Sequence, residues 1–162
     1  MILIALGANL PSRAGPPDAT LAAALASLQK RQVEIRAVSS FYRTAAWPDT
    51  ADPPFVNAVA ELKTGLQPVA LMAILHEVET DFGRKRSAPN APRTLDIDLL
   101  DYDGRVEPGP PVLPHPRMEN RVFVLAPLCD IAPDWRHPAS GRTARELLAA
   151  LGGSGDIRRL PG

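Results

Sequence analysis

The sequence predicts an α+β fold, an antiparallel sheet with two helices packed on one face, followed by a loop-rich C-terminal extension. Three observations predict it. Short apolar runs and apolar–polar alternations recur at strand length, two stretches repeat apolar residues at helical spacing, and these elements follow one another as β-α-β-β-α-β. A chain of 162 residues fits a single domain, 1–162, and buries enough surface to fold without staples.

Residues 1–6 form an unbroken apolar run closed by Gly7, as a buried strand should. Asp18 precedes an alanine-rich helix reaching about Arg31, with Leu21, Leu25 and Leu28 on one face. Residues 33–42 alternate, with Val33, Ile35 and Ala37 set against Glu34 and Arg36, which reads as a half-exposed strand. A proline-broken loop, 43–54, leads into a strand from Phe55 to about Leu62. The second helix runs from about Pro68 to Phe82, its apolar face made by Leu71, Leu75, Val78 and Phe82, and Gly83 is a natural stop. A loop over 84–92 precedes a strand at 93–102. Beyond it the chain reads as loop until a final helix near 143–151. The βαββαβ order is the ferredoxin-like arrangement, which leaves the second sheet face for a ligand or for the tail.

Composition narrows the function. Eighteen basic and eighteen acidic residues cancel, which argues against a nucleic-acid surface. The basic residues are nevertheless clustered: Arg84, Lys85, Arg86 and Arg93 in one group, Arg117 and Arg121 in another. Such clusters in a neutral chain suit a compact anion better than a long polyanion, or else a solvated loop. Cys129 stands alone and forms no internal disulfide. No signal peptide or apolar span of about 18 residues is visible, so a cytoplasmic protein with no membrane partner is expected.

The sharpest motif is Arg93-Thr94-Leu95-Asp96-Ile97-Asp98. On a strand, Asp96 and Asp98 share one face, with Cα atoms about 6.5–7 Å apart. Two carboxylates there can hold one cation jointly, or two ions about 3.5–4 Å apart, and oxygen-only ligands suit magnesium. An ordinary strand with a wet polar face, ion-paired to Arg93, is the plainer alternative. A second motif is Leu113-Pro114-His115-Pro116-Arg117-Met118, with Arg121 just beyond. Prolines on either side stiffen the loop that carries His115, and His115 and Arg121 are good phosphate donors. A third group is Ser40-Phe41-Tyr42-Arg43-Thr44 with Phe55 and Asn57. Phe55 and Asn57 share a strand face and offer a plane to stack on and an amide to read a ring edge.

In this order the three groups resemble the 6-hydroxymethyl-7,8-dihydropterin pyrophosphokinase family of folate biosynthesis. The resemblance runs from Ala5-Leu6-Gly7-Ala8-Asn9-Leu10 through Pro127-Leu128. It implies an ATP-dependent diphosphotransferase that moves pyrophosphate from ATP to the hydroxymethyl group of the pterin and releases AMP. By the same resemblance Asp96 and Asp98 hold two magnesium ions. Arg84, Arg86, Arg93, His115 and Arg121 meet the triphosphate, with Arg84 and Arg93 taking part in catalysis, and Glu79 contacts the nucleotide. Thr44, Trp47, Phe55, Asn57 and Phe123 form the pterin pocket, the two phenylalanines sandwiching the ring. ATP and the pterin are the partners expected of a monomer that binds no nucleic acid. One departure is Asn90-Ala91, where the family commonly has Trp-Gly.

An RNA-recognition module would show aromatics beside Lys and Arg on its central strands, whereas this face carries Asp96 and Asp98. A metal-dependent nuclease would leave Phe55 and Asn57 unexplained. A pterin-binding domain without activity would have no need of intact Asp96, Asp98, His115 and Arg121.

Overall fold

Strand β1 (Ile2–Ala8) is apolar at every position because both of its faces are covered, and it lies inside the sheet. The computed structural model describes residues 1–46, 51–85, 92–152 and 157–161. Among these, β1 pairs antiparallel with β4 (Phe55–Lys63) on one side and β5 (Asp96–Tyr102) on the other. Strands β2 (Glu34–Val38) and β3 (Tyr42–Thr44) pair in turn with β4, and a two-residue strand β6 (Arg158–Arg159) adds to β3, all antiparallel.

Helices α1 (Pro17–Gln29) and α2 (Pro68–Asp81) pack on one face against Ile2, Ile4, Leu6, Ala58, Ala60, Ile97 and Leu99. Both open with proline in the first turn, where its missing N–H costs nothing. Asp18 therefore lies inside the first turn of α1 rather than ahead of it. At the end of α2, Gly83 takes φ +84°. The N–H of Arg84 then bonds the carbonyl of Glu79 at 3.0 Å, and that of Gly83 bonds Thr80 at 2.9 Å. This double closure is a Schellman stop, and it turns the chain so that Arg84 leaves the helix toward β5.

The stretch after β5 is less irregular than the sequence suggests. It contains α3 (Val122–Ile131), which the sequence reading takes for loop. Proline at 127 within the helix and an apolar character without period hide it. With α4 (Ala144–Ala150), capped by the reciprocal Thr143–Glu146 bonds, α3 covers the second face over Leu3, Val59 and Leu100. Helices thus lie on both faces, and among the described residues the second face stays open toward the end of β1 that carries Gly7. The predicted 33–42 strand is likewise two strands. Ser39 interrupts it, its Oγ accepting the Val59 N–H at 3.0 Å. Strand β5 begins at Asp96 rather than at 93, because the Arg93 N–H and carbonyl are already bonded to Asn9.

Candidate active site

The open part of the second face is a cleft of roughly 560 Å³. Its floor is a single row across the sheet. Gly7 on β1 is registered with Asn57 on β4 to one side and Asp96 on β5 to the other. Next to it, Ala5 is registered with Val59 and Asp98. Gly7 is a requirement of this arrangement, since a Cβ there would meet Asn57 Oδ1 at 2.8 Å.

One end of the cleft is lined by Thr44, Phe55, Asn57 and Phe123. The Asn57 Nδ2 donates to Thr44 Oγ1 at 3.0 Å, which fixes the amide face turned to the cleft. Phe123, at the N-terminus of α3, keeps 36% of its surface exposed, a large aromatic left for something to cover. Arg121 lies over its ring, 5.4 Å from the centroid.

The other end is charged. Asp96 Oδ1 receives Arg84 Nη1 at 2.6 Å and its Oδ2 receives Arg93 Nη1 at 3.3 Å. Burial works to raise the Asp96 carboxyl, but the two arginines prevail and hold it below its ordinary range. Asp98 has weaker help, with Arg121 Nη1 at 3.7 Å and His115 Nε2 at 3.9 Å. Burial and then the neighbouring Asp96 push it up to about 6. Burial, Arg121 and Arg117 push His115 down to about 4. At neutral pH His115 is therefore an uncharged donor, and its contact with Asp98 is no ion pair. The Nδ1 of His115 accepts the Arg117 N–H at 3.2 Å, which leaves its proton on Nε2 facing Asp98.

Glu79, predicted as a nucleotide contact, lies beneath the site and is only 3% exposed. Its Oε2 accepts the Ile97 N–H at 2.7 Å and faces Arg84 Nη1 at 3.5 Å. It braces the strand between the two aspartates and orients Arg84.

The fold therefore brings together Thr44, Phe55, Asn57, Arg93, Asp96, Asp98, Arg121 and Phe123 around one cleft, with Arg84, Glu79 and His115 directly behind or beside its acidic end. Trp47 and Arg86 lie outside the described residues, as do Asn90 and Ala91. The sequence reading left Gly7, Arg117 and Asn120 out of the site, although all three line the cleft. Arg117 had a signal, its place in the second basic cluster. Gly7 had none beyond ending a strand.

The donor set fits magnesium. Among the described residues no cluster of three or more metal-ligating side chains occurs. The adjacent carboxylates offer two protein ligands, as expected where phosphates and water complete an octahedron.

Comparison with known proteins finds relatives that match most of the chain. The family model described as "7,8-dihydro-6-hydroxymethylpterin-pyrophosphokinase (HPPK)" matches residues 3–133. A Pseudomonas aeruginosa protein named 2-amino-4-hydroxy-6-hydroxymethyldihydropteridine pyrophosphokinase is 41% identical over 163 residues, covering 99% of this chain and 97% of that one. One of the same name from Synechocystis is 38% identical over 148 residues, covering 90% and 73%. Among solved structures, a Plasmodium falciparum HPPK-DHPS chain superposes with a TM-score of 0.71 at 14% identity, a likeness of fold. It covers 98% of this chain, which spans only 47% of that longer one.

Proposed function

From the premise that the chain belongs to the 7,8-dihydro-6-hydroxymethylpterin-pyrophosphokinase family, we infer that it transfers pyrophosphate from ATP to 6-hydroxymethyl-7,8-dihydropterin in folate biosynthesis. AMP and the pterin diphosphate are the products. The observation that carries this reading is the Asn57–Gly7–Asp96 row. It sets a ring-reading amide and a phosphate-side carboxylate two strands apart, about 10 Å at the usual strand spacing. A flat heterocycle at one end and a polyphosphate at the other fit that span.

In the reaction the pterin hydroxymethyl oxygen forms a bond to the β-phosphorus. The bond from that phosphorus to the α,β-bridging oxygen breaks, its electron pair leaves with AMP, and the hydroxyl proton passes to solvent. Phe55 and Phe123 hold the ring between them, and Asn57, oriented by Thr44, reads its edge. Arg84 and Arg93 exchange Asp96 for phosphate oxygens, and Arg121 and the His115 N–H bind the rest of the chain of phosphates. Asp96 and Asp98 would hold magnesium, two ions in our reading, whose chemistry is to neutralise charge on the phosphates. Positioning and charge neutralisation carry most of such a transfer, so no strong base is required.

The finer features follow the same reading. Antiparallel pairing of both β1 and β2 with β4 supports a ferredoxin-like core, with residues beyond β5 as its extension. No helix among the described residues is long and apolar enough to cross a membrane. We read the chain as a monomeric cytoplasmic enzyme of one domain. The test is AMP release from ATP and magnesium, with and without the pterin. Pterin-dependent AMP without ADP is the expected result. ADP in its place would make the protein an ordinary kinase and overturn the reading.

A further inference from the structure

The turn that carries the second group of basic residues holds one acid. Between Glu107 and Asp130 the only carboxylate side chain is Glu119, with Arg117 and Arg121 two residues away on either side. All three belong to a single 3-10 turn, Met118–Asn120, and its flanks. The Asn120 N–H bonds the Arg117 carbonyl at 3.2 Å and the Arg121 N–H bonds that of Met118 at 3.3 Å. Met118 is fully buried and pins the turn to the core shared with α3 and α4.

A carboxylate so placed is attracted to the guanidiniums beside it. Yet among the described residues no carboxylate pairs with Arg117, and Arg121 faces Asp98 at 3.7 Å. Glu119 turns elsewhere, and its Oε1 lies 3.2 Å from His137 Nε2. Arg117 and Arg121 line the cleft, whereas Glu119 and His137 do not.

His137 is only 4% exposed, and its ring is fixed on several sides. Its Nδ1 accepts the N–H groups of Ala139 and Ser140, both at 3.2 Å. Nε2 therefore carries a proton and faces Glu119. The ring edge meets Trp135 with centroids 5.9 Å apart, and Trp135 Nε1 donates to the buried Asp101 at 2.8 Å. A buried imidazole held in this way is a fixed donor, and meeting it orders less side chain than closing on an exposed arginine would.

We propose that His137 is a positioning residue for the phosphate end: by holding the Glu119 carboxylate away from the cleft, it keeps Arg117 and Arg121 available to the nucleotide. The inference rests on the pyrophosphokinase reading. A released Glu119 competes with the phosphates for the same two guanidiniums. The effect falls on nucleotide capture and not on the transfer step, and it vanishes when the carboxylate is removed.

The test is steady-state kinetics of the full chain with ATP and magnesium at saturating pterin. His137→Phe keeps an aromatic ring against Trp135 and frees Glu119. Its KM for ATP should rise about threefold to fivefold, the size of an exposed ion pair, with turnover at saturation hardly changed. Adding Glu119→Gln to His137→Phe should return KM to within about twofold of the unaltered protein. A turn that had merely lost its anchor would stay defective, so a double variant no better than His137→Phe overturns the proposal. A folded His137→Phe with unchanged KM does the same.

Glu119→Ala keeps the question open to refutation should His137→Phe fail to fold. It removes the carboxylate and its anchor together, and KM for ATP should stay within about twofold of the unaltered value. A KM raised about fivefold or more would make Glu119 a support of the basic turn and overturn the proposal. Absence of pterin-dependent AMP in the unaltered protein would instead overturn the pyrophosphokinase reading, and this inference with it.

Discussion

Asn57 and Asp96 stand on one row of the sheet with only the bare backbone of Gly7 between them. The amide is held by Thr44 and the carboxylate by Arg84. Strand spacing thus sets the distance between the ring end and the phosphate end of the cleft, and a single hydrogen atom at position 7 keeps the floor between them flat.

Gly7→Ala tests that row. Its Cβ would sit 2.8 Å from Asn57 Oδ1, so the amide must turn and lose Thr44. Pterin affinity should fall about tenfold or more, roughly 1.4 kcal/mol, while affinity for α,β-methylene-ATP stays the same. Separate titrations with the two ligands check this. Equal weakening of both would mean that position 7 serves the fold and not the ring end.

Asp98→Asn and Asp96→Asn should each lower magnesium-dependent AMP formation on the order of 10³-fold. Their effects on stability should differ in sign. Burial and Asp96 disfavour the charge on Asp98, so its removal should leave the chelator-treated protein as stable or more so at pH 8. Asp96 receives Arg84 and Arg93, and removing its charge weakens both pairs, so this variant should melt lower. Urea unfolding in chelator separates them.

The pH dependence of the metal-free protein follows from two opposed shifts. Asp98 is raised to about 6, so its contribution is full below its unfolded value of about 4 and is lost as pH rises through 6. His115 is lowered to about 4, so its contribution is full above about 6.5 and is lost as pH falls toward 4. Between about 4 and 6 the two oppose each other. Relative to the unaltered protein, Asp98→Asn should lose stability on going from pH 7 to 4.5, and His115→Gln should gain it. Urea midpoints at the two pH values decide, and shifts of the same sign in both variants would refute the assignment.

Glu79→Ala should cost roughly 1–3 kcal/mol, because the buried Ile97 N–H loses its acceptor. Its effect on nucleotide affinity should appear through Arg84 and Ile97. Glu79→Ala in an Arg84→Ala background should therefore weaken nucleotide binding much less than it does alone. Full additivity in that cycle would favour direct contact with the nucleotide.

The chemistry was more legible in the sequence than the packing. Asp96 and Asp98 announce themselves by alternation against Ile97 and Leu99, because a strand has a period of two and one face must be apolar. The helix α3 was not legible, since Val122 to Ile131 is apolar on nearly every side and carries Pro127. A helix pressed between a sheet and α4 needs no polar stripe, so periodicity has nothing to report. Strand β5 starts three residues later than its pattern suggests for a different reason. Arg93 has a strand-like neighbourhood, but its backbone groups are spent on Asn9, a partner 84 residues away that no local pattern names. The role of Gly7 was likewise invisible, because it depends on where Asn57 lands across the sheet.

Arg117 is the cleft residue whose charge stands most apart. Arg84 and Arg93 lie against Asp96, and Arg121 faces Asp98, but among the described residues no carboxylate pairs with Arg117. It is exposed, lines the cleft beside Asn120 and Arg121, and helps to hold His115 neutral. An unpaired guanidinium at the rim of a phosphate site attracts the incoming polyanion before the others have released their carboxylates. Arg117→Ala should therefore raise the KM for ATP about five- to tenfold, near the size of a lost charged hydrogen bond in an exposed place. Turnover at saturating ATP and thermal stability should hardly move. The defect should also shrink as salt rises, because the attraction it removes is screened over about 10 Å at 0.1 M ionic strength. A drop in turnover with an unchanged KM would place Arg117 on the transferring phosphates instead of at the entrance.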